Sequence, residues 1–143
     1  MKINNVVVIG SGTMGSGIAA QLCNANIPVT LLDLKTEISQ KAKERIEKSR
    51  PPLLIDKSRI DGINVGNIID NFNLVAEADW IVEAVVERID IKHEIYEKIF
   101  KKRKKDSIVS SNTSSIPISV LSEKLSEADK KDFCITHFFN PVR

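Results

Sequence analysis

The chain has 143 residues, 42% of them hydrophobic and 28% charged, with a net charge of +2, which is enough for one domain with a core. So balanced a charge points to neither nucleic acid nor a membrane surface as partner, and no stretch is long and apolar enough to span a bilayer. The two cysteines, Cys23 and Cys134, match no metal or redox spacing and suit a reducing compartment, and the first residues run straight into a strand without room for a signal peptide, so a cytoplasmic protein is expected.

In chain order, the first readable stretch is the apolar run Val6-Val7-Val8-Ile9. It turns on Gly10-Ser11-Gly12-Thr13-Met14-Gly15 and continues as a helix-period segment, residues 13–25, in which Met14, Ile18 and Leu22 sit four apart. Strand, tight turn and helix in that order are the context that a G-x-G-x-x-G spacing needs before it means anything. Gly10 permits the turn, Gly12 lets the backbone approach a pyrophosphate, and Gly15 lets the helix pack closely. The N–H groups that open the helix then face the phosphates. Cys23 falls on the inner stripe of this helix and reads as a small core residue.

A second strand, residues 27–33, ends in Asp33, eighteen residues after Gly15. That is close to the spacing of the carboxylate that holds the adenosine ribose hydroxyls. A carboxylate there repels a 2′-phosphate, so NAD is expected over NADP, with Lys35 the one nearby cation able to soften the preference.

A charged helix follows over residues 36–48, with Ile38, Ala42 and Ile46 as a narrow buried face. Pro51-Pro52 closes it. Residues 51–73 carry turn signals, a short helical excursion near 53–59 and one or two short strands near 63–71, and look like an insertion in a βαβ pattern. Residues 78–85 read as a buried strand. The helix 90–104 has Ile91, Ile95 and Ile99 inward, His93 outward, and Glu94 with Lys98 as a surface pair. Its basic end, 101–105, reads as a solvated last turn whose cations complement the helix dipole. Residues 107–111 form a strand, Pro117 opens a short helix, and residues 133–139 form the last strand. Strands alternating with helices predict an α/β fold of the Rossmann type: a doubly wound, mostly parallel sheet with helices on both faces.

Ligands bind at the carboxyl edge of such a sheet. Three polar clusters fall there: Glu83 with Glu87, then Asn112-Thr113-Ser114-Ser115, then His137 with Asn140. An imidazole titrating near neutrality suits removal of a proton from an alcohol while hydride leaves for a nicotinamide. A lone histidine on an apolar strand is also commonly a satisfied core residue, and both readings stay open for His137. No Cys/His or carboxylate cluster has metal-ligand spacing, so no metal is expected.

Together, residues 9–19, 81–87, 111–115 and 137–141 resemble the L-3-hydroxyacyl-CoA dehydrogenase family in order and spacing over essentially the whole chain. Residues 51–72 look most like the long prokaryotic members that join this dehydrogenase to an enoyl-CoA hydratase. The resemblance implies NAD as cofactor, an (S)-3-hydroxyacyl-CoA substrate oxidised to 3-oxoacyl-CoA in fatty-acid β-oxidation, and His137 as the base that takes the 3-hydroxyl proton. It implies that Ser114 and Asn140 hydrogen-bond around the substrate oxygen and the histidine. On the cofactor side it implies contacts from Gly10, Gly12, Thr13, Met14, Gly15, Asp33, Asn112 and Ser114, with Glu87 and Lys92 at the nicotinamide end. The family also has a glutamate beyond the histidine and a helical C-terminal domain that closes the cleft and forms an oligomer. The expectation is that residues 1–143 are the cofactor domain alone and nearly inactive by themselves. A non-catalytic NAD-binding or redox-sensing module, and a dehydrogenase of another β-hydroxy acid, remain as alternatives.

Overall fold

The computed structural model of the chain describes residues 2–142. The opening apolar run becomes β1 (Val6–Ile9), buried at every position. Val6 and Val8 belong to one core and Val7 and Ile9 to another. A strand covered on both faces can be apolar throughout, so it shows as a run and not an alternation.

The turn leads into α1 (Thr13–Asn24), then β2 (Val29–Asp33), α2 (Thr36–Lys48) and β3 (Ile63–Asn67). The second half comprises β4 (Trp80–Glu83), α3 (Ile89–Lys102), β5 (Ile108–Ser111), the single turns α4 (Ile118–Leu121) and α5 (Glu127–Lys130), and β6 (Phe133–Ile135). The strands lie in the order β3-β2-β1-β4-β5-β6, every neighbouring pair parallel. On one face α1 and α2 supply Ile18, Leu22, Ala42 and Ile46. On the other α3 and α4 supply Ile95, Ile99 and Leu121. This is the expected doubly wound Rossmann-type fold, and the strand order reverses between β1 and β4.

Several local readings change. Residues 51–73 are no mere insertion, because they deliver β3, paired with β2 from Val29↔Ile63 to Asp33↔Asn67. The helical excursion is a 3-10 turn at Lys57–Gly62, later than expected, and β3 returns to β4 through another 3-10 turn (Phe72–Ala76) instead of an α-helix. On α2, Ile38 is exposed and Ser39 is buried in its place, its hydroxyl donating to the Gly66 carbonyl at 2.8 Å. On α3, His93 is buried, with Nε2 2.9 Å from the Val120 carbonyl oxygen, and the ion pair on that helix is Lys101 with Glu97 instead of Lys98 with Glu94.

The basic run is also less solvated than expected. Arg103 stacks on Phe100 and bonds Asp132 at 2.7 Å, and Lys104 pairs with Asp79, so two of its cations staple the far edge of the sheet. The last strand stops at Ile135. Thr136 still donates to the Ser111 carbonyl, but Phe138 N–H donates to the Asn112 side chain, so a side-chain bond replaces the ladder.

Candidate active site

The glycine turn shows three glycines with three different duties. Gly10 has φ +103°, and a Cβ on it would lie 2.4 Å from the Ala84 carbonyl oxygen, where the turn wedges against the end of β4. At Gly15 a Cβ would lie 1.8 Å from the Gly10 carbonyl oxygen, so α1 rests directly on the turn. At Gly12 a Cβ would meet nothing within 4 Å. The protein itself gives no steric reason for glycine there, whereas a pyrophosphate lying over the turn gives one. Gly12 caps α1 without a side-chain bond, and no acidic residue occupies the helix's first turn. Its leading N–H groups therefore stay available to an anion. Gly12 and Thr13 are exposed and Met14 is half-buried against the core.

Asp33 ends β2 facing this turn. Oδ2 accepts from the Ser11 N–H at 2.7 Å and the Ser11 hydroxyl at 2.5 Å, and Oδ1 accepts from the Leu34 N–H at 2.7 Å. A cleft of about 390 Å³ opens between them, walled by Gly10, Gly12, Asp33 and Arg45 and by apolar Leu34, Ile38, Ile68, Val85, Val86 and Ile91. A charged floor with apolar walls suits an adenosine moiety. A larger groove, about 630 Å³, lies between α3 and the α4–α5 segment and is lined by no residue of the glycine turn or of the three strand-end clusters. The smaller cleft is the one with binding chemistry. Of its residues, Arg45 carries no signal in the sequence, and Ile38, expected on the buried face of α2, lines the cleft instead.

The three strand-end clusters meet at the carboxyl edge. Glu83, at the end of β4, is fully buried and accepts from Lys92 Nζ (2.7 Å), Tyr96 OH (2.5 Å), Ser111 Oγ (2.6 Å) and the Val85 N–H (2.8 Å). Burial, with the Glu83 charge beside it, pushes the Tyr96 hydroxyl far above its ordinary value. Lys92 is itself wholly enclosed and bridges to Glu87 at 3.0 Å. Its ammonium therefore holds two carboxylates and presents no open face to a cofactor. Glu87 is partly open, and its Oε2 accepts from Thr113 Oγ1 (2.7 Å), Ser115 Oγ (3.2 Å) and, more distantly, the Ser114 N–H (3.4 Å). Burial works to raise Glu87, but the Thr113 bond and Lys92 outweigh it and hold the carboxyl below its ordinary value.

Asn112 joins the second cluster to the third. Its backbone N–H donates to the Glu83 carbonyl, and its Oδ1 accepts from Phe138 N–H at 2.9 Å. His137 lies two residues beyond the end of β6, exposed, its ring 4.7 Å from that of Phe139. Asn140 and Ser114 are exposed as well. Among the described residues no group of three or more His, Cys, Asp and Glu is placed to hold a metal ion.

An all-parallel sheet, a glycine turn with an open floor and an acid at the end of the neighbouring strand define a dinucleotide-binding domain. Residues 5–143 match the family model described as the NAD binding domain of 3-hydroxyacyl-CoA dehydrogenase. The chain belongs to this family, and its cofactor is NAD. Along its whole length it is 43% identical to a probable 3-hydroxyacyl-CoA dehydrogenase of Deinococcus radiodurans, of which it spans 43%. Over 99% of its length it is 42% identical to a putative fatty acid oxidation complex trifunctional enzyme of Rickettsia felis, of which it spans 21%. Among solved structures it superimposes on 3-hydroxybutyryl-CoA dehydrogenase from Escherichia coli with a TM-score of 0.86 at 26% identity, covering 99% of this chain and 31% of that one. The (S)-3-hydroxybutyryl-CoA dehydrogenase of Ralstonia eutropha gives 0.80 at 30% identity, covering 99% and 51%. The chain thus spans about half or less of the relatives it matches. No helix among the described residues is long and apolar enough to cross a membrane.

Proposed function

We propose that this chain is the cofactor half of a cytoplasmic enzyme that oxidises (S)-3-hydroxyacyl-CoA to 3-oxoacyl-CoA in fatty-acid oxidation, completed by a helical domain that covers the substrate and forms the oligomer. The observation that carries the reading is the joining of the three strand ends: Glu87 gathers the serine loop, and Asn112 ties that loop to the segment bearing His137. Held by the glycine turn and Asp33, NAD would supply the acceptor for the hydride of the carbon bearing the hydroxyl. His137 takes the hydroxyl proton, leaving the carbonyl, and Ser114 and Asn140 donate to the oxygen and steady the ring. Lys92 holds Glu87 in place at the edge where the nicotinamide would lie, and Asp33 would accept from the ribose.

The test is acetoacetyl-CoA reduction, followed by NADH absorbance, in the full-length enzyme and in the 143-residue chain, with NAD binding measured by calorimetry. In the full-length enzyme His137→Ala should lower turnover by roughly 100- to 10,000-fold and leave NAD affinity within about twofold. The short chain should bind NAD yet turn over at least about a thousandfold more slowly, because His137 is exposed and the proposed covering domain is not there to exclude water. NAD binding without turnover in the full-length protein would favour a sensing module. Undiminished turnover in His137→Ala would place the base elsewhere.

A further inference from the structure

Arg45 lies on the third turn of α2, and no sequence motif marks it. Its side chain crosses from the helix to the glycine turn, where Nη2 donates to the Ser11 carbonyl at 3.0 Å. Ser11 is also the residue that gives its N–H and its hydroxyl to Asp33. A single residue of the turn therefore has the ribose-side acid on its donor side and a guanidinium on its acceptor side, and both charged groups line the same cleft. A guanidinium carries five N–H donors, and among the described residues the Ser11 bond uses one of them, so others stay uncommitted on a side chain that lines the cleft.

The acid is correspondingly committed. Two donors from Ser11 occupy Oδ2, and the Leu34 N–H takes part of Oδ1, leaving little free capacity beyond one ribose hydroxyl. A carboxylate already compensated in this way, with a cation across the turn, repels a neighbouring anion less than a bare one does. Lys35, the cation that the sequence singles out, is exposed and outside the cleft wall.

We propose that Arg45 is a specificity-determining residue at the adenosine end: its spare donors admit a 2′-phosphate on the ribose, so that NADP binds as a weaker second cofactor instead of being excluded. The planar fork of the guanidinium matches a phosphate dianion, whereas a 2′-hydroxyl gains little from it. This rests on the dinucleotide reading of the cleft and not on the identity of the substrate.

The test is calorimetry with NAD and with NADP on the unmodified chain, Arg45→Ala and Arg45→Lys, each checked by thermal unfolding. The unmodified chain should bind both, NAD more tightly. Arg45→Ala should weaken NADP by about fivefold or more and NAD by less than about twofold. Arg45→Lys should recover part of the NADP affinity, and added salt should erode that affinity more than that of NAD. Equal weakening of both nucleotides would make Arg45 a prop of the turn and overturn the proposal, as would NAD binding with no measurable NADP binding, or no change in either. If the unmodified chain bound neither nucleotide, the dinucleotide reading would fall with it.

Discussion

Replacing Gly12 and Gly15 by alanine, one at a time, adds the same methyl group and should separate binding from stability. At Gly12 the new Cβ points into space free of protein atoms to 4 Å, and φ of −66° suits any residue. The fold's only cost is a poorer helix cap, at most about 1 kcal/mol, which moves the melting midpoint by roughly 2–5 °C. NAD, however, needs that space for its pyrophosphate, so affinity should fall at least about tenfold, or roughly 1.4 kcal/mol. At Gly15 the Cβ lies 1.8 Å from the Gly10 carbonyl oxygen, and Gly10 cannot retreat because it is wedged against Ala84. α1 must lift off the turn, an overpacking cost on the order of 3 kcal/mol and a midpoint loss of roughly 10 °C. The measurements are thermal unfolding by circular dichroism and NAD titration by calorimetry. Gly12→Ala binding NAD within about twofold of the unmodified chain would refute the pyrophosphate argument. Equal destabilisation by both substitutions would refute the steric one.

Lys92→Met should destabilise the fold by about 3–5 kcal/mol in urea unfolding, because it leaves the buried Glu83 carboxylate without its cation. Adding Glu83→Gln should restore part of the loss; a near-neutral Lys92→Met would show the network to be dispensable. Glu87 is held below its ordinary value, so the stability it contributes is complete above about pH 4.5 and is lost as pH falls through its lowered value. Glu87→Gln should therefore flatten the acid limb of melting temperature against pH, and superimposable limbs would count against its role in tethering the serine loop.

The readings that succeed from sequence rest on local constraint. The glycine spacing and the apolar runs depend on near neighbours, and α2 keeps the bounds expected of it, Thr36–Lys48, with Pro51 just beyond. β5 ends at Ser111 as expected and places Asn112 where the edge rule requires it, whereas β4 ends at Glu83, two residues before the expected 85. What escapes is long-range. β3 falls among the short strands expected near 63–71, but nothing local announces its parallel pairing with β2 at the sheet edge. Lys92 and His93 are charged or polar residues inside a helix's buried face, explained only by partners on other elements, Glu83 and Val120. Arg45 acts across the chain on Ser11. Ile38 fits the helical stripe and still points elsewhere, because the cleft wall and the core compete for apolar side chains and periodicity cannot tell them apart.

That competition has a consequence for handling the protein. Leu34, Ile38 and Val86 are 64%, 39% and 61% exposed around one cleft. Side chains so placed form an oily rim that attracts a second molecule whenever nothing screens it. The nucleotide is thus a surfactant for this surface as well as a reactant. At a hundred times its dissociation constant it adds about 2.7 kcal/mol to folding, and a nucleotide bound in the cleft should screen these side chains from a second molecule. Light scattering during purification should fall as NAD is added, at concentrations that track its affinity.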